Sequence, residues 1–199
     1  EYTKALDSLK ELFSTYLQIS TKIGQHPTAV LCTLAGDCCF NIKDMAHAKM
    51  ALSDARRFFE IGDSHKEQME GWEEEMSAFA YSRSGDVAFI EKNYREATGY
   101  YQEAEKRWKR VTTAHVAYNR ALVLYKESVS LAKSGQLDSA ESKANQLIAY
   151  LNENKNNEQV AKNRLNFLGK YANTLREEGD WLASASRSIQ IGLARLKDN

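Results

Sequence analysis

The chain has 199 residues, of which 43% are hydrophobic and 27% charged, with one proline and ten glycines. That composition excludes a disordered or fibrous chain and supplies enough apolar material for a sizeable core. Lys and Arg number 27 and Asp and Glu also 27, so the formal net charge is zero, which argues against direct contact with nucleic acid.

Three cysteines, Cys32, Cys38 and Cys39, share one expected helix. An odd count with two adjacent members is not a disulfide framework, and free cysteine behaves as a small buried hydrophobe. This favours a reducing, cytoplasmic setting. No stretch reaches the ~20 apolar residues of a membrane span. Glu1 stands inside a helical pattern, so the expectation is a segment of a longer protein.

Helical periodicity is nearly continuous. Tyr2 to Ile23 carries Leu6, Leu9, Phe13, Tyr16 and Leu17 along one side and ends at Gly24. Pro27 opens a second helix running to about Ile42. Asp44 is placed to cap a third, which the spacing carries to Ile61 and stops at Gly62. Asp63 or Ser64 begins a long fourth helix to about Glu91, with a break at Gly71 as one reading.

Asn93 opens a fifth helix, reaching Val111. Thr112 or Thr113 opens a sixth, ending near Gly135, and a seventh spans Leu137 to Leu151. After a polar loop, Asn152 to Asn157, an eighth runs from Glu158 to Glu178, and Asp180 caps a ninth reaching Leu196. The charged stretches Glu60–Glu75 and Lys106–Arg110 read as solvated helix faces, or as a bipolar surface for a partner.

A small residue recurs at Ala5, Ala48, Ala97, Ala140 and Ser184, with gaps of 43, 49, 43 and 44 residues. Before the last four lies a turn with a Met, Tyr, Leu or Trp three residues ahead of the small one: Met45, Tyr94, Leu137 and Trp181. A small residue at a crossing lets two helices approach closely. Gly36 and Gly85 stand twelve residues ahead of Ala48 and Ala97, and a glycine inside a helix costs about 1 kcal/mol unless a close contact requires it. The period indicates stacked helix pairs.

The segment Gly85 to Ala104, with Gly85, Ala97, Tyr101 and Ala104 in register, resembles the tetratricopeptide repeat family. Gly36, Cys39, Ala48, Leu52 and Ala55 form a second match. At the corresponding places Ser128 and Ala172 replace the glycine, and the period is longer than the family's usual ~34 residues.

The resemblance implies an all-α fold: a right-handed α-solenoid of four to five antiparallel helix pairs, about nine helices, with residues 1–199 as one repeat domain. It implies a protein- or peptide-binding scaffold. The alternative on the same fold is a peptide- or ligand-sensing domain of a bacterial transcription or signalling regulator. The first helix of each pair would line the binding groove, placing there Asp37, Phe40 and Asn41, then Ser82, Arg83, Asp86 and Phe89, then Tyr125, Lys126 and Val129, and finally Lys170, Asn173 and Arg176. Asn suits an extended peptide backbone, and Arg and Lys suit its carboxylates.

Four histidines, His26, His47, His65 and His115, lack metal-ligand spacing, so neither a metal nor a cofactor is expected. Neither a phosphate loop nor a nucleophile elbow occurs, and the chain reads as a non-enzyme.

Overall fold

The computed structural model describes residues 2–4, 7–8, 25–65, 68–111, 116–179, 184 and 187. Among them there are helices and turns and no strand. The helices are α1 (Gln25–Asn41), α2 (Met45–Ser64), α3 (Gly71–Ile90), α4 (Tyr94–Trp108), α5 (Val116–Lys133), α6 (Leu137–Glu153) and α7 (Glu158–Glu177). The expected first and last helices fall mostly outside the described residues, although Tyr2–Lys4, Asp7, Ser8, Ser184 and Arg187 are helical.

The chain divides into two compact units, 1–113 and 114–199. In the first, α1 pairs with α2 and α3 with α4, and α3 packs on both α1 and α2. In the second, α5 pairs with α6, and α7 packs on α5.

One turn geometry makes the hairpins. Lys43, Lys92, Gly135 and Gly179 have φ of 65°, 61°, 77° and 84°. Each stands five residues before a member of the small-residue ladder. At the first turn the Lys43 N–H donates to Phe40 O at 3.0 Å and the Asp44 N–H to Cys39 O at 2.9 Å. The pattern repeats as Lys92 to Phe89 with Asn93 to Ala88, and as Gly135 to Ala132 with Gln136 to Leu131. This left-handed closure satisfies the last carbonyls of a helix. Asp44 then starts α2 directly, its side chain accepting from the His47 N–H at 3.2 Å.

Packing follows the small-residue register. Ala48, Ala97 and Ala140 are fully buried, as are Ala55, Ala104 and Ala144. A Cβ on Gly36 would stand 2.6 Å from Leu52 Cγ, and one on Gly85 would stand 2.7 Å from Tyr101 Cδ1. Both glycines let a bulky side chain sixteen residues on lie against the helix backbone. In the third pair the same two places hold Ser128 and Ala144, both fully buried, so the large residue has moved off this contact. In the fourth, the Ser184 hydroxyl donates to Ala172 O at 2.8 Å across the crossing.

The units have their own cores. Ala29, Val30, Cys32, Ala55, Phe59 and Ala80 cluster in the first, with Cys39, Ala48, Leu52 and Val87 beside them. Leu124, Leu147, Leu151, Val160, Phe167 and Leu168 form the second. One expected boundary is corrected, at Gly62, and the break at Gly71, one of the two readings of the fourth helix, is present. Helix α2 runs through Gly62 to Ser64, because the glycine is a contact: a Cβ there would enter the imidazole of the buried His26. The next helix starts at Gly71, where Glu70 and Glu73 form a reciprocal capping box.

Polar bonds recur about one period apart. Lys49 Nζ reaches Glu91 Oε2 at 2.6 Å, 42 residues on. Arg107 Nη2 donates to Asp63 Oδ2 at 2.9 Å, 44 residues back. In the second unit Lys133 Nζ donates to Glu177 Oε2 at 2.9 Å, again 44 residues away. Such ties join successive repeats, as nearest-neighbour stacking requires.

Candidate functional site

Seven of the residues expected to line a groove come from α1 and α3: Asp37, Phe40, Asn41, Ser82, Arg83, Asp86 and Phe89. The structure gathers Asp37, Asp86 and Phe40 around Arg83. Its Nε donates to Asp37 Oδ1 at 2.6 Å and its Nη1 to Asp86 Oδ2 at 3.1 Å. The guanidinium carbon lies 4.8 Å from the Phe40 ring centroid and 5.0 Å from that of Phe79. Asp86 also accepts from the buried Tyr101 hydroxyl at 2.8 Å, so the chain of contacts runs from α4 through α3 to α1.

This changes what Arg83 can do. Its charge is met by two carboxylates, so it is not a cation awaiting a partner's carboxylate. Asn41 donates through Nδ2 to Asp37 O at 2.7 Å, which fixes the amide on its own helix. Phe89, half-buried, meets Tyr94 edge-on at 5.2 Å. Leu34, one turn before Asp37, and Ile90, one turn after Asp86, are exposed at 40% and 53%. The face is therefore held by side-chain ties and partly aromatic.

The other expected residues lie in the second unit and divide by burial. Tyr125 is half-buried and stacks on Phe167 at 5.4 Å, and burial raises its phenol pKa above the ordinary value. Lys126 is half-buried on α5, and Val129 is buried. Lys170, Asn173 and Arg176 are exposed along α7. Ser82, from the first set, is buried.

The cysteines are free and buried. Burial, aided by Asp54, pushes the Cys32 thiol up to about 12. No group of His, Cys, Asp and Glu suited to a metal ion occurs among the described residues. No helix among them is long and apolar enough to cross a membrane.

Two further clusters escaped sequence reasoning. At the opposite end of the α2 and α4 helices from the Lys49–Glu91 tie, Arg107 holds Asp63 and also donates to Ser77 Oγ at 2.6 Å. Its guanidinium stacks 4.7 Å from the Tyr81 ring. Tyr81 in turn donates to Glu60 Oε1 at 2.7 Å, and burial raises its pKa, with that hydrogen bond adding to the effect. The second cluster is a cleft of about 180 Å³ between α2, α3 and α4, with Arg56 and Tyr100 in its wall. The signal that could have found both is the period: Asp63 with Arg107, and Arg56 with Tyr100, each stand 44 residues apart.

No protein-family model matches the chain, and no curated protein matches it. The functional reading therefore rests on the residues themselves.

Proposed function

We propose that this chain is a protein- or peptide-binding module of tetratricopeptide-like helix pairs, and that it engages its partner with the α1–α3 face. The observation that carries the reading is the Arg83 cluster. Phe40, Phe79 and Phe89 stay half-exposed, while their neighbours are locked by Asp37, Asp86 and Tyr101. Preorganised aromatic surface limits the ordering cost of association. That half-exposed aromatic surface favours a segment that carries apolar side chains.

The state of Cys32 argues against thiol chemistry at that position. A thiol whose pKa burial holds near 12 is not a nucleophile at neutral pH. The test is selection from a library of random linear peptides, followed by NMR mapping of the best binders. Footprints on Phe40, Phe79 and Phe89, with affinity lost by about tenfold or more in Phe40→Ala and Phe79→Ala, are the expected result. Footprints confined to other surfaces, or variants that bind unchanged, would defeat the assignment.

A further inference from the structure

We propose that the cleft beside Arg56 binds a small monocarboxylic acid with a short apolar tail. Its floor is Leu52, Val87 and Ala88, all nearly or fully buried. Its rim holds Lys49, Ser53, Arg56, Glu91 and Tyr100.

Arg56 is the distinctive group. It is half-buried, and its guanidinium lies 4.3 Å from the Tyr100 ring centroid. Its Nη1 donates to Ser84 Oγ, and its Nη2 to the Tyr100 hydroxyl at 3.1 Å. Both acceptors are neutral. Among the described residues no carboxylate lies within ion-pair distance of it, in contrast to Arg57, Arg83 and Arg107, which pair with Asp54, Asp37 and Asp63. A guanidinium has five N–H donors, so two hydroxyl acceptors leave part of the fork for an oxyanion.

The neighbouring acids are already committed. Glu91 holds Lys49. Glu96 accepts from Tyr100 at 2.8 Å through one oxygen and from Asn93 at 2.6 Å through the other. Neither turns to Arg56, and the stacked Tyr100 ring keeps the guanidinium in place. A half-drained cation facing a cleft gains most from a single, planar, bidentate anion. Glu96 on the rim, held by neutral donors, opposes a dianion more than a monoanion, which favours carboxylate over phosphate. The apolar floor and the small volume then admit a tail of only a few carbons. This site is on a different surface from the α1–α3 face and does not depend on it.

Isovalerate is the probe, with isovaleramide and inorganic phosphate as controls, each titrated into the whole chain. Isovalerate should shift the Val87 methyl and Tyr100 ring resonances saturably and raise the melting temperature, while the amide and phosphate should not. Arg56→Met should weaken isovalerate binding by about tenfold or more, as loss of a charge-assisted pair requires. Arg56→Lys, which keeps the charge but not the fork, serves if the first variant does not fold and should bind more weakly than the parent. Equal shifts from the acid and the amide, displacement of isovalerate by equimolar phosphate, or unchanged binding in the lysine variant would each overturn the proposal.

Discussion

Gly85 lies flat against the ring of Tyr101, sixteen residues on, so closely that a Cβ would stand 2.7 Å from Cδ1. Tyr101 is 2% exposed and its hydroxyl is tied to Asp86, so the ring cannot swing aside. Gly85→Ala should therefore destabilise the chain by about 1–3 kcal/mol through overpacking, despite alanine's better helix propensity. Gly99, in the middle of α4, has nothing within 4 Å of its would-be Cβ. Gly99→Ala should stabilise by up to about 1 kcal/mol. Urea unfolding of the two variants checks the opposite signs.

Lys43 and Lys92 occupy the left-handed turn position that Gly135 and Gly179 fill without strain. A side chain in that conformation costs about 1 kcal/mol or more, part of which glycine returns as unfolded-state entropy. Lys43→Gly and Lys92→Gly should each raise stability by about 0.5–1 kcal/mol, and together by nearly the sum, since the turns are separate sites. Thermal melts of both single variants and the double variant measure this. Unchanged or lowered melting temperatures would mean that the turns relax some other way.

Most of the architecture was legible because it is periodic. Ala48, Ala97 and Ala140 mark crossings, and Gly36 and Gly85 mark close contacts, since a helix tolerates glycine there only for packing. Gly62 was misread because the residue that stops a helix is also the residue that lets an imidazole approach one. The role of Arg83 was hidden for a different reason. Its position on a first-helix face follows from the register, but its partner Asp37 is 46 residues away, and only the folded chain shows that the charge is already met. The Arg56 cleft is similarly non-local, drawing its walls from three helices.

Cys32 links the core to alkaline stability. Its pKa rises from 9.0 to about 12 on folding, chiefly through burial. Between those values the unfolded chain loses a proton that the folded chain keeps, so stability is full below pH 9 and falls as pH rises towards 12. One such proton contributes a slope of about 1.4 kcal/mol per pH unit. Tyr81, Tyr100 and Tyr125, all raised mainly by burial, add to the fall above pH 10. Cys32→Ala should be less stable at neutral pH but lose less between pH 9 and 10, below the range where the tyrosines contribute most. Parallel slopes for variant and parent over that interval would refute the assignment.

The Arg83 cluster separates a structural ion pair from a binding group. Asp37 and Asp86 are 22% and 11% exposed, and Arg83 is 24% exposed, so solvent screens the pairs only partly. Arg83→Met keeps the apolar stem between Phe40 and Phe79 but leaves two facing carboxylates without their cation. The expected cost is about 2–4 kcal/mol, somewhat below that of breaking a fully buried pair. Adding Asp37→Asn to that variant removes one of the stranded charges and should recover about 1 kcal/mol or more, whereas Asp37→Asn alone should destabilise. The double-mutant cycle, read by urea unfolding, thus gives a coupling energy between α1 and α3. A coupling near zero would mean that Arg83 does not tie the two helices together. The aromatic face would then rest on packing alone, and Arg83 would be open to a partner's carboxylate.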